Sequence, residues 1–241
     1  MARSISKNRI VRTIFTRLAP YYDRLDALVT GKRGGEWRRL AAELPLPRPP
    51  RRILDACTGT GLMAMEMMRK YNHSRVIGVD FCPAMVSIAR QRIQALHLGR
   101  RIEARVENVE IMPFADGFFD AVVVAFGMRF VSDVRVVLRE CNRVLQPGGM
   151  LMVLEFGQPA NPLRRRWVRW RREHWLPVRA ALGLRVPRTL MYPLHDALAY
   201  YPDPETFGHL LGKTGFRDVA YLNLAGGTAT LHRAVKHVSS R

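Results

Sequence analysis

The sequence predicts an α/β fold: a mostly parallel sheet covered by helices and finished by an antiparallel hairpin. Three observations predict it. From residue 51 to 156, short apolar runs alternate with longer amphipathic ones, the rhythm of βαβ units with strands buried on both faces. Near the end, two strand-like runs flank Gly226-Gly227, the pattern of a hairpin. The composition, 48% hydrophobic and 24% charged over 241 residues, suits one domain with a sizeable core.

Each element follows in order. Ile10, Ile14 and Leu18 stand at helical spacing and "RLDALV" continues it, so residues 1–50 read as a helical lid followed by a linker. The dense prolines of "LPLPRPP" stop any helix there. The core covers 51–160. "RRILDAC" is the first strand, with a helix from Leu62. "RVIGVD" is the second, and Pro83 opens a helix through Leu98. "IEARVEN" is the third and "FFDAVVVAF" the fourth. A helix over 132–145 leads to the fifth, "GGMLMVLEF". Residues 161–202 break the rhythm as a basic, Pro- and Arg-rich helical insertion. Residues 203–241 supply a last helix, Pro204 to Lys213, then "RDVAYLNL" and "TATLHRAV" around the Gly-Gly turn.

Three cysteines, Cys57, Cys82 and Cys141, lack C-x-x-C spacing. They fit neither a disulfide frame nor a zinc site and read as small buried hydrophobes. No run of about 18 apolar residues occurs, so no transmembrane helix is expected. The first 22 residues carry bases and no acids, yet they run straight into a periodic segment and read as mature protein rather than a targeting sequence. The net charge of +19 favours an anionic partner: nucleic acid, an acidic membrane or an anionic substrate.

"LDACTGTGLMA" carries Gly59, Gly61 and Ala64 in G-x-G-x-x-A spacing, which fits two cofactors. A dinucleotide would bring a pyrophosphate to this turn, and Asp55 would repel it. S-adenosyl-L-methionine brings a sulfonium and an ammonium, which Asp55 attracts directly or through water. Gly59 and Gly61 let the backbone approach the ligand. Asp80 closes the second strand about 20 residues on, where it can accept from both ribose hydroxyls. Asn108, at the end of the third strand, can read the adenine amino group, with Phe81 and Met85 flanking. Ala125 ends the fourth strand beside the methionine portion. Strand, D-x-x-x-G-x-G, helix, strand ending in Asp, and terminal hairpin together describe the Rossmann-like, seven-stranded sheet of class I methyltransferases.

With those residues in place, the chain resembles the ubiquinone/menaquinone-biosynthesis C-methyltransferase family from about Ala19 to Lys236. "YYDRLDALVTGKRGGEW" is similar to its Y-D-x-M-N and S-x-x-x-H-x-x-W signature. "LDACTGTG", "VENVEIMPF", "FGMR", "RVLQPGGMLMVLEF", "YPDPETF" and "NLAGGTATLHRAVK" follow in family order. The resemblance implies C-methylation of a prenylated quinol ring, demethylmenaquinol or 2-polyprenyl-6-methoxy-benzoquinol. It implies cofactor contacts at Thr60, Asp80, Asn108 with Val109, and Ala125, where the family usually has Ser. It implies a substrate pocket drawing on Tyr22, Asp23 and Arg129. Departures stand at Asp26 (family Asn), Thr30 (Ser), Gly34 (His), Phe130 (Asn), Gln146 (Lys), Gly157 (Ser) and in "MYPLHDA". Most of them are expected to face the substrate.

A hydroquinone carbon turns nucleophilic when a phenolic proton leaves. Arg129 is therefore expected to stabilise the phenolate or position a water that takes the proton. Tyr22 and Asp23 would contact the ring hydroxyls. His232 is a candidate base, although a lone His in a strand is more often structural. Glu155 ends the fifth strand without an assigned role.

In the insertion, Leu163, Trp167, Trp170 and His174 recur at helical spacing amid arginines, the composition of an interfacial membrane helix or of a basic lid. A cytoplasmic, peripherally membrane-associated enzyme is expected, and a homo-oligomer stays open. No appended RNA-binding module and no N/D-P-P-Y/F motif occurs, so no nucleic-acid partner is expected. The intact Asp55, Gly59, Gly61 and Asp80 argue against a non-catalytic relative. A methyltransferase acting on another lipophilic phenol is the nearest alternative.

Overall fold

The computed structural model describes residues 2–184 and 201–238; "MYPLHDA" lies outside the described residues. The N-terminal helices are α1 (Ala2–Leu18), α2 (Tyr22–Thr30) and α3 (Arg33–Glu43). The core follows as β1 (Arg52–Ala56), α4 (Leu62–Lys70), β2 (Arg75–Asp80), α5 (Pro83–Ala95), β3 (Ile102–Val106), β4 (Phe119–Ala125), α6 (Val134–Val144) and β5 (Leu145–Phe156). The insertion holds α7 (Pro162–Trp170), a π-helical turn (Arg171–Trp175) and α8 (Leu176–Leu184). Then come α9 (Pro204–Lys213), β6 (Phe216–Leu224) and β7 (Ala229–Lys236).

The sheet has seven strands in the order β3-β2-β1-β4-β5-β7-β6. β7 runs antiparallel to both neighbours, and the other pairings are parallel. The strand period of two divides the core cleanly. Ile53, Val76, Val123 and Met152 face one side and pack with Met67 of α4, Ala89 of α5 and Trp37 of α3. Their neighbours Leu54, Ile77, Val124 and Val153 face the other, against Leu138 of α6 and Phe207 of α9. Burial on both faces explains the near-continuous apolar runs.

Several boundaries differ from expectation: β5 begins at Leu145, three residues before Gly148, and the helix expected over 132–145 spans Val134–Val144. The helix from Pro83 ends at Ala95, not Leu98. His97 takes a positive φ of 56° and the Leu98 N–H reaches back to Ile93 O at 2.9 Å, a Schellman stop with His in the place glycine usually holds. The third strand stops at Val106, so Asn108 stands on the loop beyond it. The last helix begins and ends where the sequence indicates. Asp203 accepts from the Thr206 N–H at 2.9 Å, and Pro204 opens the first turn, where its missing N–H costs nothing.

Most departures from the family signature are packing solutions rather than substrate contacts. Asp26 receives a two-pronged bond from buried Arg38, at 2.7 and 3.0 Å, tying α2 to α3. Thr30 donates to Asp26 O at 2.7 Å, and a Cβ on Gly34 would overlap its hydroxyl. Gln146 donates to Asp120 at 2.6 Å. A Cβ on Gly157 would sit 2.8 Å from Gly227 O, so the hairpin turn closes only over a glycine. Of these positions, Phe130 lines the cavity described next.

Candidate active site

Open α/β sheets bind ligands beyond the strand ends where the order reverses, here between β1 and β4. A cavity lies there, with an empty volume of about 610 Å³ that includes its open mouth. The chain turns from β1 into α4 through Cys57–Gly61. Gly59 and Gly61 have φ of 54° and 85°, a region glycine enters without strain. A Cβ on Gly59 would project into the cavity, 4.0 Å from the Tyr22 ring.

Across the cavity, a Cβ on Gly127 would overlap Cys57 Cβ. Gly127→Ala is therefore expected to destabilise by about 1–3 kcal/mol through overpacking, read as a lower urea midpoint. Adding Cys57→Gly should recover most of the loss, since it also relieves the positive φ of 60° at Cys57. Gly35→Ala, with nothing within 4 Å of its Cβ, should scarcely shift the midpoint.

Asp80 lines the cavity. Its oxygens accept from the Gly59 N–H at 3.0 Å and the Cys82 N–H at 2.9 Å, leaving lone pairs for hydroxyl donors. Burial pushes its carboxyl up to about 6, and those two N–H groups oppose the rise. Asn108, Val109 and Ala125 also line the cavity. Asn108 Oδ1 accepts the Glu110 N–H at 2.9 Å, a turn bond that orients the side chain.

Five expected contacts stand outside the cavity lining: Asp55, Thr60, Gly61, Asp23 and Arg129. Asp55 is fully buried and lies beneath the glycine turn, outside the cavity wall. Thr58 donates to one of its oxygens at 2.6 Å, and the Ala64 N–H faces the carboxylate. Burial pushes its carboxyl up to about 7, against the pull of Thr58 and the Ala64 N–H. A direct contact with a ligand is thus replaced by a charge acting through the loop. Thr60 is buried, and its hydroxyl donates to Asp23 at 2.6 Å. Asp23 is held by Arg92 of α5, which also donates to Thr60 O. Asp23 and Thr60 therefore latch α2 onto the glycine turn.

Tyr22 lines the cavity and is held protonated by burial, with the Asp26 charge adding to the effect. Phe15 of α1 and Phe130 complete an aromatic wall: Phe15 meets Phe130 edge-on at 4.9 Å and Tyr22 at 6.0 Å. Arg129 sits behind that wall. Both it and Glu155 are buried and paired, and the Arg129 N–H also faces Glu155 at 3.4 Å. Burial pushes the Glu155 carboxyl up, and Arg129 pulls it down. The guanidinium lies 4.5 Å from the Phe156 ring centroid, and its Nε has no partner.

His232 lies 2.9 Å from Pro204 O through Nε2 and packs on Phe207 and Tyr221. Burial lowers its pKa, and it stands off the cavity, in the structural role. Sequence reasoning missed Phe15 and Arg92. Phe15 could have been found from its position beside Ile14 in the helical run; Arg92 carries no local signal.

Among the described residues, no Lys or Arg lines the cavity, and its charged groups are Asp80 and Glu110. That lining repels a pyrophosphate and suits a cation with ribose hydroxyls. The cradle at Gly59 fits S-adenosylmethionine on the same grounds. Fold and site together define a class I methyltransferase.

The comparisons agree with that class. The ubiE/COQ5 methyltransferase family model matches residues 3–236, and the chain belongs to that family. A ubiquinone/menaquinone biosynthesis C-methyltransferase UbiE of Cereibacter sphaeroides is 32% identical over 234 residues, covering 95% of this chain and 92% of that one. A demethylmenaquinone methyltransferase of Deinococcus radiodurans is 37% identical over 211 residues, covering 88% and 86%. Among solved structures, a SAM-dependent methyltransferase of Thermotoga maritima, a possible histamine N-methyltransferase, superposes with TM-score 0.66 at 21% identity. It covers 94% of this chain and 99% of that one. At that identity the likeness speaks for the fold.

Proposed function

We propose that this protein methylates a ring carbon of a prenylated quinol, demethylmenaquinol or 2-polyprenyl-6-methoxy-benzoquinol, in menaquinone or ubiquinone biosynthesis. The observation that supports the reading is the buried guanidinium of Arg129, paired with Glu155 and 5.4 Å from the Phe130 ring of the aromatic wall. Bound in the crevice, S-adenosylmethionine supplies an electrophilic methyl group on a positively charged sulfur.

The chain's own residues do the rest. Asp80 holds the ribose hydroxyls, and Asn108 and Val109 border the base. Phe15, Tyr22 and Phe130 sandwich a flat ring and exclude water from it. Water exclusion strengthens the attraction between Arg129 and a developing phenolate. The phenolic proton leaves to water at the cavity mouth as negative charge spreads to the ortho carbon. That carbon forms the new C–C bond as the methyl–sulfur bond breaks; the ring proton is then lost to solvent, which restores aromaticity, and the ring oxygen regains a proton from water, so that one proton is released in all. Tyr22, held protonated, donates to a ring oxygen rather than removing a proton. Asp23, engaged by Thr60 and Arg92, keeps the α2 lid seated over the cofactor turn.

The test is complementation of a strain lacking its quinone C-methyltransferase, with its quinones analysed by mass. Restoration of the missing ring methyl is expected. An unchanged quinone profile would redirect the assignment to another lipophilic phenol.

A further inference from the structure

The insertion presents a surface that water alone does not explain. All of α7 is without a buried residue. Leu163 is 80% exposed, Trp167 58% and Trp170 51%. The exposed apolar stripe continues through Trp175 to Val178 and Leu182, the last 78% exposed. Soluble helices are held by burying an apolar face. Here the apolar side chains point out.

The inner side is fixed by other means. Arg164 donates to Ala225 O of the hairpin turn at 2.8 Å. Arg171 donates to Val29 O at 2.9 Å, near the end of α2. Leu176 and Ala180 are buried, Ala180 in a cluster with Leu18 and Leu25. The arginines also stand beside the indoles: Arg171 lies 5.7 Å from the Trp167 ring and 5.9 Å from Trp175, and Arg179 5.4 Å from Trp175. Cation and indole are thus held at one level, as at the headgroup depth of a bilayer, which both groups favour.

Charge selects the occupant. From 162 to 184 arginine is the dominant charged residue and Glu173 the single acid. A second copy of the same basic face would be repelled. An anionic surface would be attracted, each basic residue near it adding to the binding. Among the described residues no helix is long and apolar enough to cross a membrane, so the contact lies in the interface plane.

We propose that α7, the π-turn and α8 form a docking surface for an anionic lipid bilayer, with the Trp–Leu stripe inserted at headgroup depth. The surface stands on its own residues, so its test needs no turnover and can fail independently of the quinol reading. Because α8 packs on the helix that carries Tyr22, docking would set the aromatic wall beside the bilayer.

The experiment is co-sedimentation of the full chain with vesicles of phosphatidylcholine alone or mixed with phosphatidylglycerol. Expected is binding to the anionic vesicles, weakened by salt and much lower on pure phosphatidylcholine. Trp167→Ser with Trp170→Ser should reduce that binding roughly tenfold. Arg165→Gln with Arg169→Gln should do the same through charge. Cofactor binding by calorimetry should be unchanged in both variants, which separates docking from misfolding. No sedimentation with anionic vesicles, or wild-type binding by the Trp variant, would overturn the proposal.

Discussion

Asp80→Ala is expected to abolish binding of S-adenosylmethionine in calorimetry. The carboxylate would accept from two ribose hydroxyls, and hydrogen bonds to a charged group contribute about 1.5–3 kcal/mol each. Losing both raises Kd by roughly 10²- to 10⁴-fold. The Gly59 and Cys82 N–H groups also lose their acceptor, so the turn loosens. The carboxyl's position near 6 adds a pH signature. The complex needs the ionised form, so affinity should be full above about 6 and fall as pH drops below it. Asp55, near 7, starts the decline earlier. Stability of the free protein runs the other way. Both folded values are raised, so their contribution is complete below the ordinary carboxylate value of about 4. It is lost as pH rises through about 6 to 7. Asp55→Asn should therefore stabilise the free protein at pH 8 while weakening cofactor binding, checked by urea denaturation and calorimetry on one preparation.

The second large effect is at the Arg129–Glu155 pair. Arg129→Met alone leaves Glu155 buried without its cation. Breaking such a pair costs about 3–5 kcal/mol, so the variant should lose both stability and turnover. That result alone would not separate catalysis from folding. Replacing both partners by apolar residues removes the uncompensated charge and is often neutral or stabilising. Arg129→Met with Glu155→Leu should regain most of the stability and keep cofactor affinity within a few-fold, yet stay inactive on a quinol. Turnover in the folded double variant would show that Arg129 serves packing alone.

The two readings of the molecule, from sequence and from structure, part at identifiable places. β1 to β5 and the hairpin are legible because burial on both faces leaves continuous apolar runs, bounded by glycines and prolines with local duties. Asp80, Gly59 and Ala125 are legible because a motif fixes them relative to strand ends, Tyr22 and Val109 through the family resemblance, and all five line the cavity. What sequence hides is pairing over distance. Arg92 meets Asp23 across 69 positions, with no local pattern to announce it. Asp26 with Arg38, Thr30 with Gly34, and Gly157 with the hairpin turn look like separate oddities along the chain, although each answers a neighbour in space. Asp55 has the right residue type for a ligand contact, but only the fold shows the glycine turn lying over it. Arg129 reads from the sequence as a cation at a strand end; its buried partner Glu155 is set by the pairing of β4 with β5.

The most direct measurement of the central claim uses purified protein, S-adenosylmethionine carrying a deuterated methyl, and a reduced short-tailed demethylmenaquinol or methoxy-benzoquinol. Mass spectrometry with fragmentation then locates the label. The account requires the deuterated methyl on a ring carbon, with no transfer by the Asp80→Ala protein. Label on a phenolic oxygen, or a bound cofactor with no transfer to either quinol, would contradict it.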